Sequence, residues 1–360
     1  MKGTTASVPG VVGCESAYSS VPMKRRSRNL VSFDSPWFFD QGTVRVFEPA
    51  DGADREETSR RVRNGQHKTP FMLETASERQ LLFTRASVQT TMSIDAPDAL
   101  VTPYTRKMMS FLLFAPEPRH IAMIGLGGGS IAKFCYRNLP GTSLTAVEID
   151  ADVIALRDEF LLPVDDDRFH VVHADGASFV ASLQEPVDVM LVDAFDADGI
   201  APSLATSNFY GDAGARLVDD GMLVMNLSGE RSRYPTHLRR LRRTFGNRLL
   251  LLPLAASDNV LAFAFKGDLP DIASTAFDRC AAQLQARLQL EFPQYLQRLR
   301  QRHDLFPPPV PRDSPLVISG KGPGWGRQKS AFAQESPDAP SSILPRDDRR
   351  KCPKGTGEEV

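Results

Sequence analysis

The chain has 360 residues and carries 43 lysines and arginines against 44 aspartates and glutamates, which gives a formal net charge of -1. This balance argues against a dedicated nucleic-acid coat protein or a polybasic membrane binder. Hydrophobic residues make up 41% and charged residues 24%, which is typical of globular proteins, and the length predicts about two domains.

Signals for membranes, disulfides and metals are missing from the sequence. No apolar run reaches the ~18 to 20 residues that a membrane helix needs, and the N-terminus lacks the apolar stretch of a secretory signal. The four cysteines are far apart and form no CxxC pair, and the six histidines form no visible ligand set. These features predict a cytoplasmic protein with no bound metal and with neither nucleic acid nor membrane as a partner.

Two contrasting segments come first along the chain. Residues 1–29 are small, polar and basic, and such a composition cannot bury enough apolar surface to offset the entropy of ordering, so a disordered leader is predicted. Residues 30–95 predict a small antiparallel β-domain, because Thr43–Phe47 alternates at period two and Gln80–Arg85 follows a polar stretch. Apolar residues at helical spacing then predict a helix over 104–114.

Residues 96–306 predict an α/β domain with a doubly wound, mostly parallel sheet and C-terminal helices. The apolar runs here are short and continuous, which indicates strands buried on both faces, as in a parallel sheet covered by helices. The predicted strands are Ile121–Ile124, Ser143–Val147, Phe169–Val172, Val187–Val192, Met222–Met225 and Leu249–Leu252. Residues 271–304 predict one or two helices with a break at Pro293. The stretch 307–360, rich in Pro, Gly, Ser and charge, is predicted to be a disordered tail.

A glycine-rich turn follows the first of these strands. Glycines let the backbone turn sharply and approach a ligand closely, and the helix beyond the turn offers free N–H groups. Gly125, Gly127 and Gly129 resemble the GxGxG of nucleoside-sulfonium binders more than the dinucleotide pattern GxGxxG. Glu148 ends the second strand 23 residues after Gly125, near the offset of about 20 at which an acid accepts hydrogen bonds from ribose hydroxyls. Glu148 is therefore a candidate ribose ligand, with capping of the next helix as the alternative.

Acidic residues also end the third and fourth predicted strands. Asp175 and Gly176 follow the third strand, where a carboxylate could bind an adenine amino group, although this pair also suits a simple turn. The fourth strand brings Asp193 and Asp196 to the crevice in which open α/β sheets bind ligands. Clustered carboxylates there suit a cationic substrate and a general base, and turn formation is the alternative for each of them.

Taken in order, these motifs resemble the polyamine aminopropyltransferase (spermidine synthase) family over roughly residues 80–265. The matching motifs are Val88-Gln-Thr-Thr91, Tyr104, Gly125-Leu-Gly-Gly-Gly, Glu148-Ile-Asp, Asp175-Gly, Asp193-Ala-Phe-Asp, Asn208-Phe-Tyr210 and Asp220-Gly-Met-Leu-Val. The resemblance implies an S-adenosylmethionine-dependent methyltransferase-like Rossmann fold after a small β-domain. It also implies a homodimer or homotetramer.

The family transfers a 3-aminopropyl group from decarboxylated S-adenosylmethionine to a diamine such as putrescine and releases methylthioadenosine. The resemblance therefore implies two sets of binding residues. The set for the cosubstrate is Gly125, Gly127, Gly129, Glu148, Asp175 and Gly176. The set for the amine is Gln89, Tyr104, Asp196 and Tyr210, with Asp193 as the catalytic base. An alkylammonium with a pKa of about 10 must lose a proton before its nitrogen can attack, and a desolvated aspartate can accept it.

The chain differs from the family pattern at three places. Gly128 stands where the family has an aspartate that holds the aminopropyl amine. Thr105 and Arg106 replace the His or Gln and the Glu that commonly follow the substrate tyrosine, and Ala197 replaces a proline. Two other functions therefore stay open, an S-adenosylmethionine-dependent methyltransferase and a catalytically silent nucleoside-binding homologue.

Overall fold

The computed structural model describes residues 28–37, 41–49, 54–196, 199–228, 233–254 and 259–301. Almost all of the predicted leader and the whole predicted tail lie outside these residues, so their disorder stays a prediction. The domain bounds given above stay a prediction as well.

An antiparallel sheet of five strands begins the described chain, and each strand pairs with the next one in sequence. These strands are β1 (Arg28–Asp34), β2 (Thr43–Pro49), β3 (Phe71–Glu74), β4 (Glu78–Thr84) and β5 (Ser87–Ser93), with the helix α1 (Arg55–Arg63) between β2 and β3. The predicted alternation in β2 is confirmed, because Val44 and Val46 are buried while their neighbours are partly exposed. Their side chains join Phe33 and Phe71 in the core of this sheet.

A helical segment follows this sheet. It begins as α2 (Pro103–Met108) and continues as a 3-10 helix over Met109–Leu113. The predicted helix over 104–114 is therefore two short helices of different pitch. Every residue of the 3-10 helix is buried, and its apolar side chains belong to the main hydrophobic core.

The central sheet has seven strands in the order β13-β14-β12-β9-β6-β7-β8. Its strands and the two short strands beside them are β6 (His120–Ile124), β7 (Ser143–Glu148), β8 (Phe169–His173), β9 (Val187–Val192), β10 (Phe195–Asp196), β11 (Gly199–Ile200), β12 (Leu217–Leu227), β13 (Leu249–Pro253) and β14 (Val260–Phe265). Five neighbouring strands are parallel, while β14 runs antiparallel to both β12 and β13. The six predicted strands are confirmed, and β14 was not predicted.

Helices cover both faces of the central sheet. They are α3 (Ser130–Asn138), α4 (Ala151–Ala155), α5 (Gly176–Ser182), α6 (Ser207–Ala215), α7 (Tyr234–Phe245), α8 (Thr275–Leu288) and α9 (Phe292–Arg300). Ile121 and Met123 of β6 pack in one hydrophobic cluster with residues of α3, α8 and α9. Ala122 and Ile124 pack in a second cluster with residues of α5, α6 and α7. The alternation of these clusters along one strand confirms a sheet that is buried on both sides.

The predicted break at Pro293 is wrong in its position. The helix α8 ends at Leu288, and Gln289, with a φ of +55°, forms its left-handed C-cap. Pro293 instead lies in the first turn of α9, where its missing N–H removes no helical hydrogen bond. Among the described residues, no helix combines the length and the apolar character that crossing a membrane requires.

Candidate active site

The glycine loop between β6 and α3 packs on the backbone at the end of β9. Gly125 opens the loop with a φ of +95°, and its amide donates to the carbonyl oxygen of Val147 at 2.8 Å. A Cβ atom at Gly125 would lie 2.3 Å from the carbonyl oxygen of Asp193, so only glycine fits here. This close approach brings the loop next to the residue that was predicted to be the base.

The carboxylate of Glu148, at the end of β7, is held by backbone amides of the glycine loop. One oxygen accepts hydrogen bonds from the amides of Leu126 at 3.0 Å and Gly127 at 3.4 Å. The other oxygen accepts from the amide of Asp150 at 3.0 Å. Glu148 and the glycine loop therefore line the same wall of a cavity. The binding of ribose by Glu148 stays a prediction.

Asp193 stands at the end of β9 and lines the same cavity. The hydroxyl of Tyr104 donates to its Oδ2 at 3.0 Å, and Nδ2 of Asn226 donates to its Oδ1 at 3.0 Å. Burial raises the pKa of Asp193 above its ordinary value, and the hydrogen bonds from Asn226 and Tyr104 act in the opposite direction. Each oxygen of the carboxylate thus has one protein donor and keeps capacity for another, because an ionised carboxylate has about four acceptor sites.

Tyr104, on α2, stays a neutral hydrogen-bond donor over the physiological pH range. Burial, the negative charge of Asp193 and the hydrogen bond to it all hold the pKa of Tyr104 well above 10.0. The family resemblance implies that Tyr104 binds the amine, and the structure brings it to the cavity beside Asp193, while the contact with an amine stays a prediction.

The N-terminal sheet contributes a second wall of the cavity through Phe83, Gln89 and Thr90. The Oγ1 atom of Thr90 accepts a hydrogen bond from the amide of Gly128 at 2.9 Å. A Cβ atom at Gly128 would lie 2.7 Å from Cγ2 of Thr90 and 2.8 Å from Cδ1 of Phe160. Thr90 and Phe160 therefore close the space that a side chain at position 128 would need.

Three of the predicted cosubstrate residues are not among the residues that line the cavity. Gly129 is the N-cap of α3, with a φ of +70°. Asp175 is the N-cap of α5, and its carboxylate accepts from the amide of Ser178 at 2.8 Å and from the hydroxyl of Ser178 at 2.9 Å. A Cβ atom at Gly176 would lie 2.3 Å from Cγ2 of Ile124, so Gly176 permits close helix packing. The structure gives these residues local structural roles, and their contact with a cosubstrate stays a prediction.

The prediction that Tyr210 contacts the amine does not agree with its position in the structure. Tyr210 lies on α6 with a fully buried side chain, and its hydroxyl is 2.8 Å from Nδ1 of His237. It packs in the hydrophobic cluster under α6 and α7 and does not line the cavity. The resemblance implies an amine contact for Tyr210, but its ring is buried where α6 packs on the sheet. The side chain of Asp196 lies outside the described residues, although its backbone belongs to β10.

Thr105 and Arg106, which follow Tyr104 and differ from the family pattern, lie in different surroundings. Thr105 is buried, lines the cavity and donates through its hydroxyl to the carbonyl oxygen of Thr102 at 2.7 Å. Arg106 does not line the cavity and forms a salt bridge with Glu291, which also accepts a hydrogen bond from Tyr295. The positive charge of Arg106 is therefore balanced outside the cavity.

Asn226 is a site residue that the sequence analysis missed. It ends the apolar run of β12 as a buried amide, and its contact with Asp193 joins two neighbouring strands. The available signal was a polar residue directly after the apolar run Met222–Met225, next to the ligand-binding edge of the sheet.

The central sheet is parallel except for one antiparallel strand, a glycine loop follows β6, and acids stand at the ends of the following strands. These features define a methyltransferase-like Rossmann domain. A probable spermidine synthase from Corynebacterium glutamicum has a similar structure, with a TM-score of 0.52 at 16% identity over 60% of this chain and 84% of that chain. This likeness confirms the predicted fold.

Sequence comparison then defines the family. Residues 102–232 match the spermine/spermidine synthase domain. A polyamine aminopropyltransferase from Chromobacterium violaceum is 37% identical over 245 residues, which cover 67% of this chain and 94% of the relative. Another from Neisseria meningitidis serogroup A is 40% identical over 182 residues, which cover 50% of this chain and 69% of the relative. The chain belongs to the polyamine aminopropyltransferase family, and it is a transferase of alkyl groups other than methyl.

Proposed function

We propose that this chain transfers a 3-aminopropyl group from decarboxylated S-adenosylmethionine to a diamine such as putrescine, with release of methylthioadenosine. The observation that carries this proposal is the Asp193 carboxylate, which lines the cavity between Tyr104 and Asn226. A desolvated carboxylate with spare acceptor capacity suits a cationic amine, which it can bind, orient and deprotonate.

The proposed step begins with the amine in its ammonium form, whose pKa is about 10. Asp193 accepts one proton from this ammonium, and the freed nitrogen lone pair attacks the carbon next to the sulfonium. A carbon–nitrogen bond forms, the carbon–sulfur bond breaks, and its electron pair returns to sulfur, which loses its positive charge. Tyr104 holds one oxygen of the carboxylate in place, and the fixed geometry of both reactants lowers the barrier.

The charges along the cavity favour the decarboxylated donor. Glu148 and Asp193 are the acidic residues that line it, and no lysine or arginine is among its described lining residues. The carboxylate of full S-adenosylmethionine would meet like charges in this cavity, whereas the terminal ammonium of the decarboxylated donor would meet opposite ones. Among the described residues no group of three or more His, Cys, Asp and Glu side chains could hold a metal ion, and the proposed step needs none.

Incubation of the purified protein with each donor and a panel of amines, followed by mass spectrometry, tests the proposal. We expect a mass gain of one aminopropyl group on putrescine, and methylthioadenosine as the second product, only with the decarboxylated donor. Asn138→Leu serves as a remote control, because the Asn138 amide donates to the carbonyl oxygen of Phe134 at the end of α3.

Methyl transfer from full S-adenosylmethionine is the competing activity to test, and Gly128 is the observation that motivates this test. Because no side chain is present at position 128, the loop itself offers no acid to select a donor ammonium. A mass gain of one methyl group with full S-adenosylmethionine would establish this alternative. Tight donor binding without any product would instead identify a silent homologue.

We also propose that the enzyme works in the cytoplasm as a homodimer or homotetramer. The support is the resemblance to the family. Size-exclusion chromatography with light scattering tests the oligomeric state, and a monomer at micromolar concentration would contradict it.

A further inference from the structure

Three polar side chains form a chain of hydrogen bonds that ends on the carboxylate of Asp193. Asn259, just before β14, donates through Nδ2 to Oδ1 of Asn226 at 3.2 Å. Asn226, on β12, donates through its own Nδ2 to Oδ1 of Asp193 at 3.0 Å. Each link crosses to the adjacent strand, so the chain connects three neighbouring strands at the edge that carries the cavity.

The direction of this chain is fixed at its inner end by Asp193. An ionised carboxylate can only accept, so the amide nitrogen of Asn226 faces Asp193, and the amide oxygen of Asn226 then accepts from Asn259. Asn226 is 2% exposed, so water cannot replace Asn259 in this role without opening the strand edge. A buried amide that is bonded at both ends cannot flip without losing both bonds.

The contacts of Asp193 divide its two oxygens between two donors. Oδ1 faces Asn226 from β12, and Oδ2 faces Tyr104 from α2. Of these two donors, Tyr104 can ionise and Asn226 cannot. Glu148 lines the same cavity from β7, but its oxygens accept from backbone amides of the glycine loop. The two donors therefore hold the Asp193 carboxylate in one orientation, and its remaining acceptor sites point in a fixed direction.

We propose that Asn226, oriented by Asn259, is a positioning residue that keeps the Asp193 carboxylate ionised and aimed at the amine. This inference rests on the proposed function, since it assigns Asp193 the work of base. Removal of the donor leaves a desolvated charge with one hydrogen bond fewer, which disfavours the ionised form and frees the carboxylate to rotate. Burial already raises the pKa of Asp193, so the loss would add to that shift.

Asn226→Leu tests this role through the pH dependence of kcat/KM. A hydrogen bond to a charged acceptor is strong enough to move a pKa by about one unit. The acid limb of the profile is the range in which kcat/KM rises with pH, and we expect its midpoint to lie about one pH unit higher in the variant. We expect kcat near neutral pH to fall about tenfold and KM to change less than about threefold. The reason is that the Asp193 carboxylate, which loses its fixed orientation in this variant, acts in the chemical step. Asn259→Leu should move the limb in the same direction by a smaller amount.

Two further variants separate positioning from mere stability. Asn138→Leu is the matched control, since it removes an amide outside the cavity, and its pH profile should coincide with that of the unmodified protein. If Asn226→Leu does not fold, Asn226→Asp keeps the shape and should also raise the acid limb, because adjacent carboxyls resist ionising together. An acid limb that stays in place in the folded Asn226 variants would overturn the proposal, even if their rates were lower.

Carbon-13 NMR titration of the Asp193 carboxyl, without substrate, keeps the two proposals distinguishable. An unmodified protein with no transferase activity would contradict the proposed function and leave this titration informative. We expect the carboxyl of Asp193 to titrate at higher pH in Asn226→Leu than in the unmodified protein and in Asn138→Leu. Identical titration curves would refute the role of Asn226 whatever reaction the enzyme catalyses.

Discussion

Replacement of Asp193 by asparagine is the sharpest test of the site, because it removes a charge and changes the shape very little. The carboxylate accepts from Tyr104 at Oδ2 and from Asn226 at Oδ1. Asparagine has one acceptor oxygen and one donor nitrogen, so it can accept only one of these bonds and cannot take a proton from the amine. Loss of a general base typically costs about 10²- to 10⁴-fold in rate. We expect kcat for transfer to putrescine to fall by that factor.

The same substitution has a distinct effect on stability. Burial raises the pKa of Asp193 in the folded state above its unfolded value, so the protonated form is favoured by folding. The stability that this preference provides is fully present below the unfolded pKa, near 4, and is lost as the pH rises through the folded pKa. The asparagine side chain carries no charge at any of these pH values, so the Asp193→Asn variant should gain stability relative to the unmodified protein as the pH rises from about 4 through the folded pKa of Asp193.

Two measurements check this argument on the same pair of proteins. Single-turnover rates measured by mass spectrometry give the loss of activity, and urea unfolding at several values of pH gives the difference in free energy. A variant that retains full activity would refute the role of Asp193 as base. A stability difference that is constant over pH would refute the argument that Asp193 is a desolvated carboxylate in the folded protein.

Three other changes test neighbouring parts of the site. Tyr104→Phe removes a hydrogen bond to a charged acceptor, worth about 1.5 to 3 kcal/mol, so kcat/KM should fall about 10- to 100-fold, and an unchanged value would contradict the contact with Asp193. Gly125→Ala places a Cβ 2.3 Å from a carbonyl oxygen at a φ of +95°, so urea unfolding should show a loss of more than about 2 kcal/mol. Lys133→Met removes an ammonium whose pKa burial lowers from 10.5 to about 8, and whose Nζ donates to the carbonyl oxygen of Phe160. Because the folded pKa is the lower one, the unmodified protein should gain stability relative to this variant as the pH rises from about 8 to about 10.5.

Hydrophobic patterning predicted most of the central sheet. Continuous apolar runs such as Val187–Val192 identify strands that are buried on both faces, and the structure confirms them. The strand β14 runs antiparallel to its neighbours but has the same apolar character, because a continuous apolar run indicates burial on both faces and an antiparallel strand inside a covered sheet is buried in the same way. The break near Pro293 was misplaced because a proline fits either after a helix or inside its first turn.

The candidate site was predictable where one residue carries the signal by itself. Asp193 and Glu148 stand at strand ends, and the topology of a parallel sheet brings such ends to one edge. The donors that hold Asp193 come from α2 and from β12, 89 and 33 positions away along the chain. No local pattern reports such pairings, so the contact between Asn226 and Asp193 could be found only in the folded chain. Tyr210 shows the reverse case, in which a residue within a matching motif serves packing.

The glycine at position 128 has a physical consequence for donor choice. Thr90 accepts the amide hydrogen of Gly128, and its methyl group fills the space beside that residue together with the ring of Phe160. An acidic side chain could enter there only if the side chains of Thr90 and Phe160 moved aside. Preference for a decarboxylated donor must then come from the cavity as a whole, where Glu148 and Asp193 repel a carboxylate and attract an ammonium. Selection by a distributed negative potential is screened by salt, so discrimination between the two donors should weaken as ionic strength rises.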